Sequence, residues 1–331
     1  MPDVVQLLLD KHGAAGRRAW QKNVDSLSGS CFEQVLIDGR PHIVKHIGAA
    51  TDWLMRALGD GVDGRPAFVV NAWRSGLLDA LPAALDHTIV DVCWDPSRAA
   101  GALLMRDESA AFVPPGSGRV PLEQHRRFLD HMARMHAAFW GFAGSADLLA
   151  LGPRFTPLGP AMAAREFAAG HRDPVPMAVA PGWASLRRVA LSAYEVSTAL
   201  LEDPAPLVKA LLETPTTLVH GDWKFGNLGS HPDGRTVLVD WGWPGAAGPA
   251  VELAWYLAVN CDRLPESKEA TTQYFRGRLE HHGIETAGWW ARQVELALVG
   301  AFLQLGWSKT GDAAELGWWV ERVVPVARTL V

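Results

Sequence analysis

The segment that most constrains the fold of this chain is residues 216–241, which interrupts a mainly helical C-terminal half. It starts with a β-prone run and continues through a polar loop at residues 220–227. A turn at Pro232-Asp233-Gly234 then leads to a second β-prone run that ends at Asp240. Turn residues between two β-prone runs are typical of a hairpin. The segment therefore predicts a strand, a loop and a hairpin that present polar side chains at one end.

The N-terminal third has the pattern of a small α+β lobe. Its β-prone runs lie at residues 32–37, 42–47, 88–93 and 102–105, and its helical runs lie at residues 53–58 and 67–81. The turn residues Asp38-Gly39-Arg40-Pro41 join the first two β-prone runs, which predicts a hairpin. A mostly antiparallel sheet is expected from these short runs.

A Pro- and Gly-rich stretch at residues 110–121 separates this lobe from the helical part. The helix predicted after it, at residues 122–140, has apolar side chains at three- and four-residue spacing. We therefore expect a small N-terminal lobe at residues 1–106, a linker at 107–121, and a mainly helical C-terminal lobe at 122–331.

Three polar residues of the 216–241 segment have the chemistry that phosphoryl transfer requires. Transfer of a γ-phosphoryl group depends mainly on positioning and on neutralising negative charge. Mg²⁺ prefers oxygen ligands, and a further carboxylate is needed to accept the proton of the attacking hydroxyl. Asp222 follows the first β-prone run, Asn227 lies five residues later, and Asp240 ends the hairpin. Asp222 is the predicted base, and Asn227 and Asp240 are the predicted metal ligands.

The string His220-Gly221-Asp222 with Asn227, followed after thirteen residues by Asp240, resembles the aminoglycoside phosphotransferases, choline kinases and their relatives. This resemblance implies an α+β, two-lobed protein-kinase-like fold, with an antiparallel sheet in a small N-terminal lobe and a larger, mainly helical C-terminal lobe. It also implies ATP and Mg²⁺ as cofactors, bound between the lobes. Residues 1–106 would then be the ATP-binding lobe and 107–121 the hinge, and the lobe at 122–331 would hold the catalytic loop and the acceptor site. Lys224 matches the lysine that relatives place on the transferring phosphate, and it counts here as a catalytic residue.

The resemblance extends to the nucleotide-binding residues. Lys45, on the second strand of the N-terminal hairpin, matches the lysine that contacts the α- and β-phosphates. Ser28, Gly29 and Ser30, within residues 26–32, are candidates for a backbone nest over the phosphates. The strand at 102–105 matches the one that enters the hinge, so Met105 and Arg106 are candidates for adenine recognition through their main chain.

One feature of the relatives is missing. Their helix after the lysine carries a Glu that pairs with it, and the matching position here is Val69. Asp52 or Asn71 is the expected substitute partner of Lys45. Glu252 matches an acidic residue that braces the catalytic loop in relatives, and a structural role is expected for it.

The acceptor is expected to be a hydroxylated small molecule: an aminoglycoside or other antibiotic, a sugar or an amino alcohol. An antibiotic acceptor would imply a role in antibiotic resistance. Trp243, Trp255 and Trp307 are candidates for stacking on a ring or a cation. Asp262 and Glu266 are candidate partners of a cationic acceptor.

Composition and charge disfavour several other classes of function. The formal net charge of −5 disfavours nucleic acid as a partner. The apolar run at residues 296–307 is too short to span a membrane, and the N-terminus lacks the pattern of a signal peptide. Three scattered cysteines suggest neither a disulfide framework nor a metal site, and they favour a cytoplasmic location. The sequence leaves the oligomeric state open.

Three alternatives remain at this point. A kinase acting on protein side chains is disfavoured by the His-Gly-Asp form and by the short connection from Asp240 to Glu252. A catalytically silent, pseudokinase-like module would bind nucleotide without transferring phosphate. A helical scaffold would bind no nucleotide.

Overall fold

The computed structural model describes residues 3–20 and 28–331. The strands are β1 (Ala15–Ala19), β2 (Phe32–Ile37), β3 (Arg40–Gly48), β4 (Leu85–Asp86), β5 (Ile89–Asp95), β6 (Ala100–Arg106), β7 (Thr217–Val219), β8 (Leu228–Ser230), β9 (Thr236–Leu238) and β10 (Gly245–Ala247). The helices are α1 (Val4–Lys11), α2 (Trp53–Leu58), α3 (Phe68–Arg74), α4 (Leu122–Ala138), α5 (Leu151–Arg154), α6 (Pro160–Ala168), α7 (Pro174–Val189), α8 (Leu191–Glu202), α9 (Ala205–Leu212), α10 (Pro249–Val259), α11 (Lys268–His281), α12 (Trp290–Leu305) and α13 (Ala313–Ala327). Short 3₁₀ turns lie at Ser109–Ala111, Phe225–Asn227, Cys261–Arg263 and Gly306–Lys309.

The chain forms two compact units, which are called unit 1 and unit 2. Unit 1 comprises residues 1–116 and 225–242, and unit 2 comprises residues 117–224 and 243–331. The units are therefore not contiguous along the chain, because the β8–β9 hairpin belongs to the N-terminal unit. The predicted division at residues 107–121 is a functional assignment and stays a prediction.

The main sheet of unit 1 has the strand order β1-β2-β3-β6-β5, and its neighbouring strands are antiparallel. The predicted N-terminal hairpin is confirmed as β2 and β3, with Ile37 opposite Arg40. The two residues between them, Asp38 and Gly39, have φ values of 49° and 73°. Positive φ at both central positions is the requirement of a type I′ turn, which suits the right-handed twist of the strands.

A smaller sheet of unit 1 positions the second half of the polar segment. Its order is β4-β9-β8, with β8 and β9 antiparallel and β4 parallel to β9. The backbone N–H of Val113 donates to the Leu228 carbonyl at 2.9 Å, and Phe112 forms a bridge with Gly229. These contacts fix the hairpin to the chain that leaves unit 1.

Unit 2 is built from helices α4–α13 and a two-stranded antiparallel pair, β7 and β10. Helix α10 lies at its centre, since every residue from Pro249 to Ala258 is buried. Phe128, Met132 and Met135 of α4 are fully buried, as their spacing predicts. None of the described helices has the length and apolar composition needed to cross a membrane.

Two sequence expectations differ from the structure. The helix expected at residues 67–81 is shorter in the structure and ends at Arg74, as α3. It stops there because Gly76 adopts a φ of 73° and its N–H donates to the Trp73 carbonyl at the helix end. Helix α1 and strand β1 were not expected. All five residues of β1 are exposed, so this strand lacks the alternation of buried and exposed residues that signals a strand.

Candidate active site

Lys224 and Trp255 of unit 2 hold the carboxylate of Asp222. Strand β7 ends at Val219, and the loop that follows buries His220 completely and leaves Asp222 only 7% exposed. Lys224 Nζ lies 2.9 Å from Asp222 Oδ2. Trp255 Nε1 donates to Asp222 Oδ1 at 3.1 Å. The predicted base therefore has a hydrogen-bond donor or a cation at each oxygen.

The backbone of this loop is fixed by buried groups. The N–H of Gly221 donates to Glu252 Oε1 at 2.6 Å, and the N–H of Asp222 donates to His220 Nδ1 at 3.1 Å. Glu252 also meets His136 Nε2 at 2.9 Å. Burial alone would raise the pKa of Glu252, but the hydrogen bond and charge of His136 lower it below its ordinary value. Glu252 thus braces the loop, as the resemblance implies.

Arg154 packs directly against the loop, and sequence reasoning did not identify it. It is 2% exposed, and its Nη2 donates to the Trp243 carbonyl at 2.8 Å. Burial lowers its pKa to about 10, while the charge of Glu252 acts in the opposite direction. A Cβ on Gly221 would collide with the Arg154 guanidinium, and Gly221 has a φ of +87°. Only glycine fits this position without rearrangement.

The predicted metal ligands Asn227 and Asp240 lie at the same end of the β8–β9 hairpin in unit 1. Asn227 immediately precedes β8, and Asp240 follows β9 by two residues. The N–H of Val239 donates to the Asn227 carbonyl at 3.1 Å. This hydrogen bond holds the segments before β8 and after β9 together. Both side chains offer oxygen atoms, the donor type that Mg²⁺ prefers. This end of the hairpin therefore has a donor set that fits the ion.

Lys45 Nζ lies 2.6 Å from Asp240 Oδ1, also within unit 1. The lysine side chain is 11% exposed and the aspartate side chain 27%. Asp240 has a φ of 70°, a left-handed conformation that is uncommon outside glycine and recurs at functional sites. Sequence reasoning did not consider Asp240 as the partner of Lys45, because the two residues are 195 positions apart.

The candidates for the phosphate nest are joined to helix α2. Ser30 Oγ donates to Asp52 Oδ2 at 3.0 Å, and Ser28 Oγ lies 3.2 Å from Ser30 Oγ. Gly29 has a φ of 93°. Asp52 also caps α2 by accepting from the N–H groups of Leu54 and Met55. Residues 26 and 27 of the expected loop lie outside the described residues.

The two residues considered as substitutes for the missing Glu, Asp52 and Asn71, each form hydrogen bonds with nearby backbone groups. Asp52 is the α2 cap, and Asn71 Nδ2 donates to the Pro66 carbonyl at 3.3 Å. Val69 is only 4% exposed, so it belongs to the apolar core of unit 1. A carboxylate at that position would be buried, and burying a charge is costly unless it is paired.

The two hinge candidates lie at the end of β6. Met105 pairs with Ile43 on one side and with Ile89 on the other. The N–H of Arg106 donates to the Thr88 carbonyl at 2.9 Å, and its guanidinium forms an ion pair with Asp86. One of the two main-chain groups of Arg106 is therefore already used within unit 1.

Most of the residues considered for acceptor binding contact other residues of unit 2. Trp243 and Trp255 are buried against each other, with ring centroids 5.7 Å apart. Trp307 Nε1 donates to the Gln304 carbonyl, and Glu266 forms an ion pair with Arg126 at 2.9 Å. Asp262 is exposed.

Comparison with known proteins then assigns the chain to a family. The sequence model of the phosphotransferase enzyme family matches residues 73–286, more than half of the 331 residues. The chain belongs to the phosphotransferase enzyme family. The matched range includes the loop at Asp222, the hairpin end at Asn227 and Asp240, and helix α10. The family expected from the motif is therefore confirmed. A comparison with curated proteins gives no match.

Solved structures similar to this phosphotransferase-family chain include two kinds of kinase. The aminoglycoside phosphotransferase APH(3'')-Id from Streptomyces rimosus is 16% identical, with a TM-score of 0.50, over 91% of this chain and 97% of that one. Choline kinase LicA from Streptococcus pneumoniae is 13% identical, with a TM-score of 0.48, over 98% of both chains. A thermostable mutant of aminoglycoside phosphotransferase APH(4)-Ia, in a ternary complex with ADP and hygromycin B, is 15% identical, with a TM-score of 0.47, over 98% of both chains. The expected α+β, protein-kinase-like fold class is confirmed.

Proposed function

We propose that this chain transfers the γ-phosphate of Mg·ATP to a hydroxyl group of a small molecule. The observation that carries this proposal is the Asp222 carboxylate, which is held by Lys224 at 2.9 Å on a loop braced by Glu252. A carboxylate that is fixed in orientation suits a group that must accept the proton of an attacking hydroxyl. Membership of the phosphotransferase enzyme family supports the same reaction class.

The other predicted residues have complementary roles in this proposal. Asn227 and Asp240 would hold Mg²⁺, which when bound neutralises phosphate charge and orients the γ-phosphoryl group. Lys45 is ion-paired with Asp240 in this structure, and Lys224 is ion-paired with Asp222. On nucleotide binding, both lysines would direct their charge to phosphate oxygens. Residues 28–30 would contribute backbone N–H groups to the phosphates, and the main chain at 105–106 would bind adenine.

The proposed organisation places ATP binding in residues 1–106, a hinge at 107–121, and the catalytic loop and acceptor site in 122–331. The proposed acceptor is a hydroxylated antibiotic such as an aminoglycoside, a sugar or an amino alcohol. An antibiotic acceptor would make the chain a resistance factor.

A cytoplasmic location is proposed because the three cysteines are free and Cys31 is exposed, which suits a reducing compartment.

A phosphorylation screen tests the proposal. The purified chain is incubated with Mg·ATP and each of a panel of aminoglycosides, other hydroxylated antibiotics, sugars and amino alcohols. ADP release and the mass of the acceptor are then measured. The expected result is an acceptor that gains one phosphoryl group for each ADP released. ATP binding without transfer to any acceptor would favour the silent nucleotide-binding module, and the absence of ATP binding would favour a scaffold.

A further inference from the structure

Helix α10 contacts the catalytic loop at two points, one on the backbone and one on a side chain. Glu252 accepts the Gly221 N–H at 2.6 Å. Trp255, three residues later, donates its indole N–H to Asp222 Oδ1 at 3.1 Å. Residues three apart lie on the same face of a helix, so both groups reach the loop together. The indole contact is buried, since Trp255 and Asp222 are each 7% exposed.

The indole ring of Trp255 is itself fixed by its neighbours. Trp243 lies against it with a centroid separation of 5.7 Å and an interplanar angle of 38°. The Trp243 carbonyl accepts from Arg154 Nη2 at 2.8 Å, and Arg154 is 2% exposed. Arg154 in turn contacts Gly221, which closes a ring of contacts around the base. Trp255 therefore has little rotational freedom, and its N–H direction is set by packing.

We infer that Trp255 is a positioning residue, which orients the Asp222 carboxylate toward the acceptor hydroxyl. This inference rests on the proposed function. Lys224 holds Oδ2 through a flexible side chain that the proposed mechanism directs to phosphate during turnover. Trp255 has no charge to contribute to phosphate, so its donor stays on Oδ1 when the lysine changes partner. The rigid donor then keeps the carboxylate plane fixed at the stage when the proton is transferred.

The sequence suggests a different role for Trp255, as a platform that stacks on the acceptor. The structure favours the positioning role, because the ring and the N–H of Trp255 both have partners inside the protein. The ring packs on Trp243, and the N–H is directed at Asp222. An acceptor-stacking tryptophan would need an exposed ring face, and Trp255 is only 7% exposed.

The test is Trp255→Phe, which keeps an aromatic ring and removes the N–H donor. Trp183→Phe is the matched control, because Trp183 is 2% exposed and donates its indole N–H to the Leu158 carbonyl at 2.9 Å. With the acceptor found in the screen, Trp255→Phe should lower kcat by about 10- to 100-fold, the effect of losing a hydrogen bond to a charged group. The KM for ATP should stay within about two-fold, because only the acceptor hydroxyl depends on Asp222 orientation. Trp183→Phe should keep the wild-type kcat at a comparable unfolding temperature.

A spectroscopic measurement tests the contact without activity. In ¹⁵N-tryptophan-labelled protein, Asp222→Ala should move the indole N–H resonance of Trp255 and leave that of Trp183 unchanged. Wild-type kcat in Trp255→Phe, or an unmoved Trp255 resonance in Asp222→Ala, overturns the positioning role and leaves the proposed function intact. A wild-type protein that phosphorylates no acceptor overturns the proposed function, and the positioning role falls with it.

Discussion

Lys45 Nζ lies 2.6 Å from Asp240 Oδ1, so the predicted phosphate-binding lysine and a predicted metal ligand form an ion pair. This pair gives Lys45 a carboxylate partner in a chain whose α3 helix has Val69 at the position where the resemblance implies a Glu. The partner comes from the end of the β8–β9 hairpin instead of from a helix. The lysine is therefore ordered by the same carboxylate that is expected to bind the metal.

The first prediction concerns the strength of this ion pair. A double-mutant cycle with Lys45→Met and Asp240→Asn should give a coupling free energy of unfolding of about 1–3 kcal/mol, because the pair is largely buried. The control cycle is Lys11→Met with Asp91→Asn. That pair has the same 2.6 Å separation, but the lysine side chain is 67% exposed. Exposed pairs contribute about 0–1 kcal/mol. Equal coupling in both cycles, measured by urea unfolding, would show that the Lys45–Asp240 ion pair is no stronger than an exposed one.

The second prediction concerns Asp240 as a proposed metal ligand. Asp240→Asn should abolish turnover at millimolar Mg²⁺ and leave the fold intact, because a neutral amide is a poorer ligand for a hard cation. Asp233→Asn is the control, since Asp233 lies in the turn of the same hairpin with its side chain 54% exposed. Turnover and circular dichroism are measured for both variants. An Asp240→Asn protein with full activity would remove Asp240 from the metal site.

The third prediction concerns Gly221, in the loop that carries Asp222. Gly221→Ala should lower the free energy of unfolding by about 2–4 kcal/mol, because the added Cβ meets Arg154 and the Trp243 carbonyl and the φ is +87°. Gly234→Ala is the matched control, with a φ of +90° and nothing within 4 Å of the added Cβ. It should cost only about 1 kcal/mol, from backbone strain alone. Similar losses for the two variants in thermal unfolding would show that Gly221 is not sterically confined.

The fourth prediction concerns pH. Burial, with a contribution from Asp52, raises the pKa of Asp60 to about 7, and its Oδ1 accepts the Phe68 N–H at 2.8 Å. The folded state then holds a proton that the unfolded state releases above its pKa of 3.8. The stability contributed by Asp60 is therefore fully present below pH 3.8 and is lost as pH rises toward 7.

Asp60→Asn removes this dependence and keeps an acceptor for the Phe68 N–H. Relative to the wild type, it should be more stable by roughly 1–3 kcal/mol at pH 8, and the difference should shrink as pH falls toward 4. The exposed Asp63, changed to Asn, is the control, because it makes the same chemical substitution outside the core. Urea unfolding across this pH range makes the comparison. A pH-independent difference between Asp60→Asn and the wild type would contradict the raised pKa.

Local chemistry explains what was predictable from the sequence. The hairpins were predicted because their turns need residues that accept positive φ, such as Gly39 and Gly234. The end of α3 was missed because Gly76 stops a helix whose apolar pattern continues beyond it. The contacts of Trp255 and Arg154 were missed for another reason. Trp255 and Asp222 are 33 positions apart, and no local pattern specifies which buried tryptophan meets the loop.

Asp222 is the proposed acceptor of the proton from the acceptor hydroxyl. The most direct test of this role is the turnover of Asp222→Ala with the acceptor found in the screen, at saturating Mg·ATP, together with ATP affinity from calorimetry. ATP affinity should stay within a few-fold while kcat falls by roughly 10²–10⁴-fold, the range for a positioned proton acceptor. A variant that keeps wild-type kcat at saturating ATP and loses ATP affinity would contradict the assignment of Asp222 as the base.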